Sequence, residues 1–118
     1  MKLSEAIRLG SMMKPQAQGA LVSDSGGTCA IASALDATGR LCGYNDLTSA
    51  ERRDVWIELG WNYGLDVQCP ACGAIYQYFA IVHLNDAHRW TRERIADWVE
   101  AVEAQQEAHV DSQTAVAK

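Results

Sequence analysis

Cys69-Pro70-Ala71-Cys72-Gly73 and, further on, His83-Leu84-Asn85-Asp86-Ala87-His88 decide how this chain is read. Ten residues separate Cys72 from His83, and four separate the two histidines. Two thiols on one tight turn, followed by two imidazoles, are the four ligands that a tetrahedral Zn²⁺ takes. Pro70 fixes a backbone angle within the turn, and Gly73 permits a positive φ directly after the second sulfur. The gap of ten is slightly short for a Cys₂His₂ site, whereas the histidine spacing falls inside the usual range. A Cys-x-x-Cys pair also serves redox chemistry, but that use expects a buried strand before the first cysteine. Leu65-Asp66-Val67-Gln68 makes a poor one. The expected metal ligands are therefore Cys69, Cys72, His83 and His88, with Zn²⁺ as the cofactor. Four protein ligands leave no open coordination position, so the ion is expected to hold the fold and not to activate water.

Between the two halves of this signature, Ile75 to Leu84 is an apolar run in which strand and helix compete, because Tyr, Phe, Ile and Val favour strands. Ligand geometry favours a helix over residues 78–88, since two histidines five apart can reach one ion from the loosening end of a helix. A short hairpin around Gly73 is compatible with this. Asn85, Asp86 and Asp66 are the nearest acceptors in sequence for the imidazole N–H groups.

From Cys69 to about Glu103 the chain resembles a Cys₂His₂ zinc finger, in which a cysteine knuckle is pinned to a helix carrying the histidines. It departs from the DNA-reading form just before the first histidine, where that form presents Arg, Asn, Gln or Lys to bases. Here the residues are Tyr76-Gln77-Tyr78-Phe79-Ala80-Ile81-Val82, which suit packing against protein. Leu3-Ser4-Glu5-Ala6-Ile7-Arg8-Leu9-Gly10 and the stretch from His83 to Thr91 also resemble short bacterial and phage reading frames without an assigned activity. That likeness implies a prokaryotic zinc-binding protein and no mechanism.

The chain has 118 residues and a formal charge of −5. One domain of this size gains useful stability from a metal staple. The acidic balance opposes a general role on nucleic acid or an anionic membrane. Arg89, Arg92 and Arg94 form a local basic cluster, read first as a solvated helix start beside Glu93 and Asp97 and second as a phosphate clamp. No stretch is long and apolar enough to span a bilayer, and Met1-Lys2-Leu3-Ser4-Glu5 does not open a signal peptide, so a cytoplasmic location is expected. Four cysteines there imply metal and not disulfides.

Taken in order, Ser4 can cap a first helix to about Met13, with Leu3, Ala6, Ile7, Leu9 and Met13 on its apolar side and Met12 and Met13 as core filler. Ser23-Asp24-Ser25-Gly26-Gly27 is a turn. Thr28 can cap a small-residue helix that Gly39 closes, and its alanines allow close approach by a neighbour. Thr48-Ser49-Ala50-Glu51 is a capping box, opening a helix to about Leu59 with Val55, Trp56 and Leu59 inward. Residues 61–65 form an aromatic loop expected to fold over the knuckle. Thr91 caps a last helix whose buried stripe is Ile95, Trp98, Val99 and Val102. Beyond Glu103 the apolar period ends, and residues 105–118 read as a fraying helix end and polar tail.

Cys29 sits after two glycines at a helix start, where free backbone N–H groups would stabilise a thiolate. Gly26-Gly27-Thr28-Cys29 resembles the start of the catalytic helix in papain-like peptidases, which implies His83 with Asn85 or Asp86 as downstream partners. Such folds carry that histidine on a sheet, little strand is legible here, and His83 is already assigned to metal. An inert, packed cysteine is the simpler reading, and Cys42 is taken the same way.

The expected fold is mainly α: a small helical domain of four to five helices with a C-terminal zinc knuckle and little strand. The domain spans residues 1–104, with a helical N-terminal region over residues 1–64 and a zinc-finger-like region over residues 65–104. The expected function is a structural-zinc module that binds another protein or regulates one. The alternatives are a cysteine-dependent enzyme using Cys29 and a nucleic-acid-binding regulator using Arg89, Arg92 and Arg94.

Overall fold

Small residues bring the first two helices together. The computed structural model describes residues 1–19, 21–24, 26–61, 67–76 and 79–117. In it α1 (Leu3–Ser11) crosses α2 (Ala30–Ala37) so closely that a Cβ at Gly10 would lie 1.9 Å from the Ser33 carbonyl oxygen. Ala30, Ile31, Ala32, Ser33, Ala34 and Leu35 are all buried, so α2 is covered on every side and forms the centre of the molecule. From α1 it receives Leu3, Ala6 and Ile7. Leu9 and Met13, which the helical stripe would place beside them, do not join, and neither does Met12, read as core filler. The helix ends at Ser11, two residues early, and all three side chains are exposed, Met12 at 79%. The first helix also starts without the expected cap: Lys2 occupies that position, and Ser4 is buried within the helix.

Between α1 and α2 the chain folds back on itself. Thr28 donates its N–H to the Pro15 carbonyl at 2.8 Å and accepts at its own carbonyl from Ala17 at 3.0 Å, while the Ser23–Gly27 turn closes with Gly26 at φ +86°. After α2, Gly39 at φ +72° ends the helix, and a short 3₁₀ turn (Tyr44–Asp46) leads to α3 (Ser49–Glu58). The capping box is formed in both directions: Glu51 N–H donates to Thr48 Oγ1 at 3.2 Å, and Thr48 N–H to Glu51 Oε1 at 2.9 Å. Val55, Trp56 and Leu59 face the core, Trp56 donating Nε1–H to the Tyr44 hydroxyl at 3.0 Å. The Leu59 carbonyl accepts from Leu3 N–H at 3.0 Å, which ties the end of α3 to the start of α1.

The second half opens with a two-stranded antiparallel hairpin, β1 (Val67–Gln68) and β2 (Ile75–Tyr76), with Val67 opposite Tyr76 and Gln68 opposite Ile75. The apolar run is thus divided: its first residues pair as strand and its remainder, from Phe79, forms α4 (Phe79–Asp86). Thr91 caps α5 (Arg92–Ala117), accepting Arg94 N–H at 3.1 Å. Ile95 and Val99 of α5 are fully buried, with Trp98 and Val102 half-buried against the core. The helix continues to Ala117, through the residues that the sequence reads as a fraying helix end and polar tail. Ala, Gln and Glu are good helix formers, and the backbone ladder does not need an apolar stripe to continue. Among the described residues the fold is five α-helices and one short strand pair. No helix of the described residues is long and apolar enough to cross a membrane.

Candidate metal centre

The hairpin builds one half of the centre. Cys69 donates its N–H to the Ala74 carbonyl at 2.7 Å and accepts Gly73 N–H at 2.8 Å, which draws the Cys69–Gly73 backbone into a knuckle. Gly73 has φ +79°, the left-handed conformation expected from its position after the second thiol. Gln68 Nε2 donates to the Gly73 carbonyl at 3.2 Å and steadies the turn from outside. Cys69 is buried and Cys72 exposed.

The other half comes from α4 and its exit. His83 lies within the helix, and His88 lies two residues past its end. The chain is held there by two long-reach bonds, His88 N–H to the His83 carbonyl at 3.3 Å and Trp90 N–H to the Leu84 carbonyl at 3.0 Å. Between them Arg89 adopts φ +54°, a left-handed turn at a non-glycine residue. This sharp reversal brings the second imidazole back over the first: the ring centroids are 4.6 Å apart and the planes perpendicular.

All four sequence-predicted ligands meet. Their ligand atoms lie within 4.8 Å of one another. Cys72 Sγ is 3.4 Å from His83 Nε2, and the two Nε2 atoms are 2.9 Å apart. A tetrahedral ion with ordinary bond lengths would separate a thiolate from an imidazole by ~3.5 Å and two imidazoles by ~3.3 Å. The cluster is therefore of the right size to close on one ion with small side-chain adjustment. Its charge also fits, since two thiolates, two neutral imidazoles and a divalent cation sum to zero beside the buried Cys69.

Asn85 and Asp86 do not support the imidazoles. Asn85 is two residues from His83, about 200° around a helix, and so faces away from it. Its Oδ1 accepts from Ala30 N–H at 3.1 Å and from Gln16 Nε2 at 2.9 Å, while its Nδ2 donates to the Ala17 carbonyl at 2.8 Å. Asp86 Oδ1 accepts from Gly19 N–H at 3.0 Å. Asp66 lies outside the described residues, as does the aromatic loop from residue 62 on; Trp61 itself is buried beside Trp98, ring centroids 6.4 Å apart.

Cys29 and Arg92 also take places that the sequence did not disclose. Cys29 is itself the cap of α2, its Sγ accepting Ala32 N–H at 3.4 Å, and Thr28 is not the cap. The thiol is 4% exposed, and burial pushes its pKa up, against what a nucleophile needs. Arg92, which the sequence groups into a solvent-facing basic cluster, is instead 5% exposed. Its guanidinium donates to Thr28 Oγ1 at 3.0 Å, Ser33 Oγ at 3.1 Å and the Ser11 carbonyl at 3.2 Å. Arg94 lies over the Trp90 ring, 3.8 Å from its centroid, leaving only Arg89 of the three without such a contact among the described residues. No signal within the arginine cluster marks Arg92 as buried; the hydroxyls that receive it come from residues about sixty positions earlier. No family model matches this chain, and comparison with curated proteins and with solved structures gave no match either.

Proposed function

We propose that Cys69, Cys72, His83 and His88 bind one Zn²⁺ as a structural ion in a zinc-finger-like hairpin-and-helix unit, and that the whole chain acts as a protein-interaction or regulatory module. One observation carries this reading: four side chains from two separate segments, all of metal-ligand type, bring their ligand atoms within 4.8 Å of one another. Two sulfurs and two nitrogens match zinc better than magnesium or calcium, which take oxygen. A complete ligand set favours a structural role over a catalytic one.

Two features favour protein over nucleic acid as the partner. Ala80 and Ile81 are buried and Val82 packs half-buried against the core, so the described residues just before the first histidine are apolar and turned towards protein, where a DNA-reading finger presents polar side chains. Arg92 is consumed by neutral acceptors inside the fold, which removes the middle of the basic cluster. The cysteine-enzyme alternative loses support from the burial of Cys29.

Metal analysis of protein purified without added metal tests the reading. One zinc per chain and loss of helical circular dichroism on chelation are expected. A metal-free chain with an unchanged spectrum and no affinity for Zn²⁺ overturns it.

A further inference from the structure

Residues 83–92 make two sets of contacts in opposite directions. On one side His83 and His88 supply half of the metal-ligand cluster. On the other, the same ten residues grip the segment between α1 and α2. Asn85 accepts from Ala30 N–H and donates to the Ala17 carbonyl; Asp86 accepts from Gly19 N–H. Gln16 Nε2 reaches both Asn85 Oδ1, at 2.9 Å, and the Trp90 carbonyl, at 2.8 Å. Arg92 then enters among Ser11, Thr28 and Ser33.

The connecting backbone has little preference of its own for this shape. α4 has two turns, too few to be stable in isolation. Arg89 holds a left-handed conformation that a side chain disfavours. His88 and Trp90, one on each side of Arg89, are fixed by long-reach bonds to the last turn of α4. An ion bound by both histidines would clamp the two ends of this turn and so set where Asn85, the Trp90 carbonyl and Arg92 lie.

We propose that the centre is a metal-responsive switch for the opposite face of α4: metal loss releases residues 15–19 and 27–32 from Asn85 and Arg92, while α3, anchored through Tyr44 and Leu59, stays folded. This rests on the metal-binding reading above and adds the regulation of that site. The coupling is reciprocal, as any linkage must be. Loosening the grip of residues 15–19 on Asn85 must in turn weaken metal binding.

The test uses the full chain, stripped and then titrated with Co²⁺, whose visible absorption reports tetrahedral sulfur and nitrogen coordination. Amide hydrogen exchange is followed alongside. On metal removal, exchange at Ala17, Thr28 and Ala30 is expected to accelerate about tenfold or more, with α3 changing far less. Gln16→Ala removes a half-buried side chain outside the ligand set. With Co²⁺ bound it should speed exchange at the same amides, and it should weaken Co²⁺ binding several-fold. Failure of Co²⁺ to bind overturns the metal reading and the switch with it. Tight binding with unchanged exchange at residues 15–19 and 27–32, or equal acceleration throughout the chain, overturns the switch alone. Unchanged Co²⁺ affinity in Gln16→Ala does the same.

Discussion

Gly10 and Ser33 meet backbone to backbone: a Cβ placed on Gly10 would lie 1.9 Å from the Ser33 carbonyl oxygen and 2.8 Å from its Cα. No rotamer change relieves this, because the obstructing atoms belong to the spine of α2, buried on every side. Gly10→Ala is expected to lower the stability of the protein by about 3 kcal/mol or more, or to prevent folding. A denaturation curve checks this, and a loss under about 1 kcal/mol would mean the helices can part at no great cost.

Arg92 couples α5 to both sides of the α1–α2 crossing through neutral acceptors. Burial pulls its pKa down, yet a guanidinium starts so high that it remains charged. Arg92→Ala strips donors from the Ser11 carbonyl, Ser33 Oγ and Thr28 Oγ1, and is expected to cost about 2–3 kcal/mol. Arg92→Lys should recover only a fraction of this, since a single ammonium cannot span acceptors on α1 and α2 together. The loss should be the same at low and high salt, because none of the acceptors is charged. Arg8 behaves oppositely: its pairs with Asp97, at 2.8 Å, and Glu100, at 3.2 Å, are solvent-exposed, so Arg8→Ala should have a small effect that shrinks as salt is added.

Arg89 is the non-glycine residue with positive φ among the described residues, and its side chain is exposed. Glycine adopts this conformation freely, so Arg89→Gly should raise stability by about 1 kcal/mol, and Arg89→Val should lower it by a similar amount or more. A destabilising Arg89→Gly would show that the guanidinium has a role beyond its backbone.

Local rules are legible wherever the deciding residues sit next to each other. The Cys69–Gly73 knuckle, the Thr48/Glu51 box, the Thr91 cap and the glycine end of α2 each depend on contacts within five residues, and the sequence discloses them. Convergence of the four ligand-type side chains is legible for a different reason: few chemistries require two thiols and two imidazoles at those spacings. Asn85 and Arg92 are misleading in sequence because their partners are 55 to 81 residues distant. Neighbouring polar residues suggest acceptors for the imidazoles in one case and a solvated patch in the other, and only the packing of α4 against α2 and of α5 against α1 shows otherwise. Leu9 and Met13 fit a helical stripe, but the helix ends at Ser11, short of Met13, and both side chains stay exposed.

Cys29 offers a pH test of the same packing. Its thiol is buried at the start of α2, and desolvation raises its pKa above the ordinary value of 9.0. At neutral pH both folded and unfolded chains carry the neutral thiol, so the contribution to stability is complete there. As pH rises past the ordinary value the unfolded chain ionises first, and stability falls until the raised value in the folded state is passed. Unfolding free energy should therefore decline above about pH 9, and the share of that slope due to this thiol should vanish in Cys29→Ala. That variant should also lose about 1 kcal/mol at neutral pH, since Ala32 N–H is left without its cap. Labelling of the folded protein gives an independent check: Cys29 should react with iodoacetamide at least about tenfold more slowly than the exposed Cys42. Equal rates would put Cys29 within reach of solvent and return the nucleophile reading to consideration.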